Sequence, residues 1–152
     1  MKAKPSSPPL ALGGRAATPI AFIRAIVLAY HRYGANPASA LAKSGITADM
    51  LDNPDARVTA AQMEIISGTA MQELDDEALG WFSRRLPWGS YGMLCRASLG
   101  SPNLGIALKR WCRHHRLLCD DITLALEVTK SAATLSITPH RPLGEMHEFC
   151  LV

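Results

Sequence analysis

Leu99-Gly100-Ser101-Pro102-Asn103-Leu104-Gly105-Ile106-Ala107-Leu108-Lys109-Arg110-Trp111-Cys112-Arg113-His114-His115-Arg116-Leu117-Leu118-Cys119-Asp120 is the stretch whose reading decides the fold. Ser101 is placed to cap free amides, and Pro102 suits the first helical position, where its missing N–H costs nothing. Leu104, Leu108, Trp111, Cys112, His115, Leu118 and Cys119 then recur at helical spacing and form one apolar stripe. Lys109, Arg110, Arg113 and Arg116 fall mostly on the other side. Such a stripe needs a surface to cover it.

The residues that follow offer that surface. After Cys119 the apolar period changes from about 3.6 to about 2. Ile122, Leu124, Leu126 and Val128 alternate with polar or small residues, and Ala133, Leu135 and Ile137 do the same. This predicts a two-stranded hairpin with one apolar face, turning near Lys130-Ser131. An isolated hairpin is marginal in water, so the expected cover is the preceding helix.

Upstream, residues 1–17 are rich in Pro, Ser, Gly and Ala without periodicity and read as a flexible tail. Thr18-Pro19 is expected to open a first helix, buried through Ile20, Ile23, Ile26, Val27 and Tyr30 and left through Gly34. Asn36-Pro37 opens a short helix closed by Gly45, and Thr47 caps a further turn through Leu51. Asp52-Asn53-Pro54-Asp55 is a turn. Thr59 and Gln62 have capping-box spacing, with Val58 and Met63 as a staple. Met63, Ile66, Ala70 and Leu74 continue the buried face. Asp75-Asp76 is expected to end that helix and cap a short one reaching Phe82. Tyr91, Leu94, Cys95 and Ser98 suggest one more short helix. At the other end, Pro139 to Pro142 stops the sheet and Leu143 to Val152 reads as the start of a helix. A close on Phe149-Cys150-Leu151-Val152 reads as a fragment of a longer chain, truncated before its next domain.

Composition bounds the class. The 152 residues suit one domain, 18–152, with a real core, and 48% hydrophobic against 19% charged residues is globular. A net charge of +3 is too weak to argue for nucleic acid. Cys95, Cys112, Cys119 and Cys150 form no C-x-x-C pair and read as reduced thiols of a cytoplasmic protein. No apolar run approaches a membrane span, and Ser6-Ser7-Pro8-Pro9 stands where a signal peptide would be apolar.

Cys112, His115 and Cys119, at spacings of three and four, share a helix face that could present soft ligands to a metal. The same positions are the inward stripe, where a thiol and a neutral imidazole pack without one. No catalytic signature or phosphate loop surrounds them, and no cofactor is implied. The basic face is a phosphate-contact surface or simply solvated. Arg84 and Arg85, beside Trp88, either face a groove or snorkel at the surface. Trp81, Trp88, Tyr91 and Trp111 either line a small-molecule pocket or pack the core. As ligand-binding residues we select Trp88, Tyr91, Trp111, His115 and Arg116.

Three stretches carry a family likeness. Asp52-Asn53-Pro54-Asp55-Ala56-Arg57-Val58-Thr59-Ala60-Ala61-Gln62 is a turn into a capped helix. Asp75-Asp76-Glu77-Ala78-Leu79-Gly80-Trp81 is an acidic turn followed by Ala-Leu-Gly. Ser98 to Leu108, running on to Arg116-Leu117-Leu118, is the most specific. Together they resemble the N-terminal sensing, arabinose-binding-like domain of AraC/XylS bacterial transcription regulators. His114-His115 stands where that family has aromatic residues, Asn103 where it has Thr, and Trp81 where it has an aliphatic residue.

The periodicities predict an α+β domain, mainly helical, with the hairpin packed on the long helix, and the resemblance implies the same mainly helical front domain. It implies a cytoplasmic, non-enzymatic domain that senses a small-molecule effector, forms a homodimer and controls DNA binding by a C-terminal domain outside this chain. The rivals are a ligand-free dimerisation module and a thiol- or metal-dependent enzyme.

Overall fold

Residues 14–142 and Gly144 are described by a computed structural model. The proposed tail up to residue 13 and the proposed terminal helix, apart from Gly144, lie outside the described residues. Thr18 does not cap the first helix. Thr18–Pro19 forms a short strand, β1, antiparallel to β2, Arg57–Val58. Ala17 N–H donates to the Val58 carbonyl at 3.1 Å, and Ile20 N–H donates to that of Ala56 at 3.0 Å. This pairing fixes the backbone over fully buried Val58 and holds Thr18 extended, away from a capping geometry. Pro19 tolerates the edge because it has no donor to lose there.

Helix α1, Ile20–Arg32, buries Ile20, Ile23, Ile26, Ala29 and Tyr30. Gly34 then turns the chain at φ 64°, and Ala35 N–H reaches back to the Tyr30 carbonyl. That is the left-handed exit the sequence announces. Helix α2, Ala38–Ser44, ends on left-handed Gly45, and α3, Ala48–Asp52, is capped by Thr47. Helix α4, Ala60–Glu73, carries the full capping box. Gln62 N–H donates to Thr59 Oγ1 at 3.2 Å, and Thr59 N–H donates to Gln62 Oε1 at 3.0 Å. Ile66, Ala70 and Leu74 are buried, and half-buried Met63 packs on the same cluster. These elements form the first hydrophobic cluster.

The expected helix from Asp76 to Phe82 is instead a run of turns. Asp75, Leu79 and Gly80 all have positive φ. The fully buried Asp76 carboxylate accepts the N–H groups of Ala78, Gly80 and Leu86, and the Tyr33 hydroxyl at 2.7 Å. An aspartate that gathers amides in this way competes with helix formation.

Helix α5, Ser90–Leu99, leads to α6, Leu104–His115. The cap of α6 is not Ser101 but Asn103, whose Oδ1 accepts the Ile106 N–H at 3.0 Å. Asn103 is extended, and its carbonyl accepts the first helical bond, from Ala107. Pro102 therefore precedes the helix, and Ser101 Oγ accepts instead from Arg110. The apolar stripe is only half dry. Cys112 and His115 are buried, whereas Leu104 at the other end is 72% exposed. Cys119 is buried but lies beyond the helix, so one helix face does not carry all three proposed ligands.

Strands β3, Ile122–Val128, and β4, Ala133–Pro139, pair antiparallel with Leu124 opposite Ile137 and Leu126 opposite Leu135. Thr129 Oγ1 accepts the Ser131 and Ala132 N–H groups and shapes the turn. As predicted, β3 packs on α6. Ile122 and Leu124 are buried there with Phe82, Leu86, Cys112 and Cys119 in a second hydrophobic cluster, while the far end of the hairpin stands in solvent. Burying each such side chain is worth about 1.5–3 kcal/mol, enough to hold a ribbon that cannot stand alone. The result is the expected α+β domain, mainly helical, with two small antiparallel strand pairs.

Candidate functional site

The two clusters do not merge. Between them lies an apolar cavity of about 780 Å³. On one side α1 presents Phe22 to it, and α4 presents Met63, Ser67 and Met71. The turn segment presents Glu77, Trp81 and Phe82, the helices Tyr91, Trp111 and His115, and the hairpin Ile122, Leu124, Leu135 and Ile137. Its size lies in the usual range for small-ligand sites.

Helical spacing sets the aromatic wall. Trp111 and His115 sit one turn apart on α6, and Tyr91 faces them from the first turn of α5. The Tyr91 and Trp111 rings stack at 6.0 Å, and His115 lies 5.9 Å from Tyr91 and 5.6 Å from Trp111. The Tyr91 hydroxyl is 3.5 Å from His115 Nε2. Burial holds the His115 imidazole below its ordinary pKa of 6.5, so it is neutral at physiological pH. Burial, aided by nearby acidic groups, pushes the Tyr91 phenol up to about 12. His115 Nδ1 and Trp81 Nε1 are buried and have no hydrogen-bond partner among the described residues.

Glu77 positions Tyr91. Its two carboxylate oxygens accept the N–H groups of Gly89 at 2.8 Å and Tyr91 at 2.7 Å, at the N-terminus of α5. A carboxylate there satisfies free amides and complements the helix dipole. On the opposite side, Asp121 secures the base of the hairpin. It accepts the N–H and hydroxyl of Ser83 and pairs with Arg141. Its carboxyl is held below the usual range by these hydrogen bonds and the guanidinium, which outweigh the effect of burial.

Of the residues selected from sequence, the structure brings Tyr91, Trp111 and His115 together at the cavity. It does not bring Trp88 or Arg116 there: Trp88 is 50% exposed on the loop before α5, and Arg116 is exposed just past α6. The exposed arginines near them also have structural partners. Arg84 donates to the carbonyls of Leu117 and Leu118, closing the end of α6, and Arg85 lies over the Tyr33 ring. Cys112 and Cys119 both have thiol pKa values raised, chiefly by burial, so neither is poised as a thiolate. Sequence reading missed Phe22, Met63, Ser67 and Met71, which look like ordinary core positions of their helices. Only a gap between clusters distinguishes them, and no local pattern encodes that gap. No described helix is long and apolar enough to cross a membrane.

The family described as the arabinose-binding domain of AraC transcription regulators, N-terminal, matches residues 34–152. The chain belongs to this family. It is also similar to the ornithine utilization regulator of Pseudomonas aeruginosa, with 26% identity over 132 residues, covering 86% of this chain and 39% of that protein. The chain thus spans well under half the length of that relative.

Proposed function

We propose that this chain is the effector-sensing domain of an AraC-type transcription regulator in the cytoplasm, with the effector bound in the cavity between the two hydrophobic clusters. The observation that carries this reading is the cavity itself, walled by Tyr91, Trp111 and His115 and reached by both halves of the fold. A ligand there adds contacts between α1 and α4 on one side and α5, α6 and the hairpin on the other. It therefore favours one arrangement of the two halves and shifts a population rather than driving chemistry. A DNA-binding domain outside this chain reads the operator and is controlled through that shift.

A metabolite screen by thermal unfolding tests the reading. A true effector raises Tm with concentration, by an amount equivalent to about 2.7 kcal/mol at a hundred times Kd. Leu135→Trp, on the exposed strand β4, puts a larger ring into the cavity wall and is expected to abolish the shift. A shift that survives this variant places the ligand elsewhere and defeats the reading.

The second reading is homodimerisation. It is favoured by the exposed apolar side chains Leu99, Leu104 and Leu117, which are 79%, 72% and 75% exposed. Sedimentation showing a concentration-dependent dimer without ligand, together with no response in the screen, supports a module that only assembles.

A further inference from the structure

The chemistry of the lining limits what the cavity holds, given the reading of it as the effector site. Among the described residues, no lysine or arginine lines it. The guanidinium groups of the nearest arginines already have partners of their own. Arg32 donates to the Gly80 carbonyl and lies over the Trp81 ring, Arg84 binds the end of α6, and Arg141 pairs with Asp121 and the Trp81 carbonyl. A carboxylate or phosphate entering the cavity would lose its hydration with no cation to replace it, at a cost of several kcal/mol. It would also meet Glu77, the lining's own carboxylate.

A cationic ligand fares little better. The two Glu77 oxygens each accept one amide N–H, from Gly89 and Tyr91, at the start of α5. The helix N-terminus partly compensates that charge and weakens its attraction for an ammonium group, which would still lose its own hydration on entry. What remains is mostly aromatic and aliphatic surface with two thioether side chains; the uncharged polar groups are the side chains of Thr18, Tyr91 and Ser67, whose hydroxyl donates to the Met63 carbonyl, and the Trp81 indole N–H, which has no hydrogen-bond partner among the described residues. His115 adds an imidazole ring with one buried nitrogen unpartnered.

We propose that the cavity selects an uncharged, largely apolar molecule, aromatic or alkyl, and rejects acids and amines built on the same skeleton. The test uses two congener series, indole with indole-3-acetate and tryptamine, and 1-octanol with octanoate and octylamine. Binding is measured by calorimetry and by Tm on the unmodified chain and on Leu135→Trp. The expected result is that at least one neutral member binds at least tenfold more tightly than its acid and its amine, and that this binding is lost in the variant. An acid or amine that matches or exceeds its neutral congener, with binding still lost in Leu135→Trp, overturns the selectivity while leaving the cavity as the effector site. Failure of all six probes to bind, or binding indifferent to Leu135→Trp, defeats the cavity reading and the selectivity with it.

Discussion

Asp76 shows how much one buried side chain controls. Its carboxylate accepts three backbone N–H groups and the Tyr33 hydroxyl, and it fixes the turn segment that faces the cavity. In Asp76→Ala those donors stay buried without an acceptor, at about 1–3 kcal/mol for each left unsatisfied. We expect a total loss of about 3 kcal/mol or more, read as a lower urea midpoint at unchanged slope. His115 acts through pH. Its folded pKa lies below the unfolded value near 6.5, so the unfolded chain binds the extra proton. Its contribution is complete above that unfolded value and is lost as pH falls from there toward the folded pKa. The urea midpoint should therefore decline as pH falls below 6.5 in the unmodified chain. In His115→Gln that limb should be flat. The losses from Asp121 and Glu73, whose pKa values are both lowered, begin only nearer the ordinary carboxylate range and stay separate.

Among the elements, α6 makes the sharpest prediction because two neighbouring residues compete as its cap. Asn103 holds the Ile106 N–H, while Ser101 faces Arg110 at the surface. Asn103→Ala should lower stability by about 1 kcal/mol, and Ser101→Ala should change it by less than about 0.5 kcal/mol. Equal effects in chemical denaturation would return the cap to Ser101. The hairpin shows the complementary lesson. Its pairing register follows from period-2 alternation, but in β3 only Ile122 and Leu124 gain a buried place.

Across the whole molecule, stability should be graded. The first cluster is fully buried through α1, whereas every residue of β4 is exposed. Native-state hydrogen exchange should find α1 amides the most protected and the β4 amides among the least. A cavity ligand should slow exchange in β4, since Leu135 and Ile137 form part of the wall. Unchanged β4 exchange in the presence of a ligand that raises Tm would place that ligand outside the cavity.

The amino-acid order by itself settled what depends on near neighbours. The Thr59–Gln62 box, the Thr47 cap, the exits at Gly34 and Gly45, the stripe through Cys112 and His115, and the hairpin turning at Lys130-Ser131 all rest on interactions spanning a few residues. Their periodicity and caps are local physics, and three family stretches lay within reach of the same reading. Tertiary structure alone decided three other matters. Thr18 became a strand because Arg57–Val58 is its partner. The acidic segment stayed unwound because Asp76 serves amides up to Leu86 and the Tyr33 phenol just past α1. Tyr91, Trp111 and His115, but not Trp88 or Arg116, met Phe22 and Met63 around one cavity. Each of these depends on residues far apart in the chain arriving together, and such encounters are fixed by the competition between whole clusters for burial rather than by any local sequence signal.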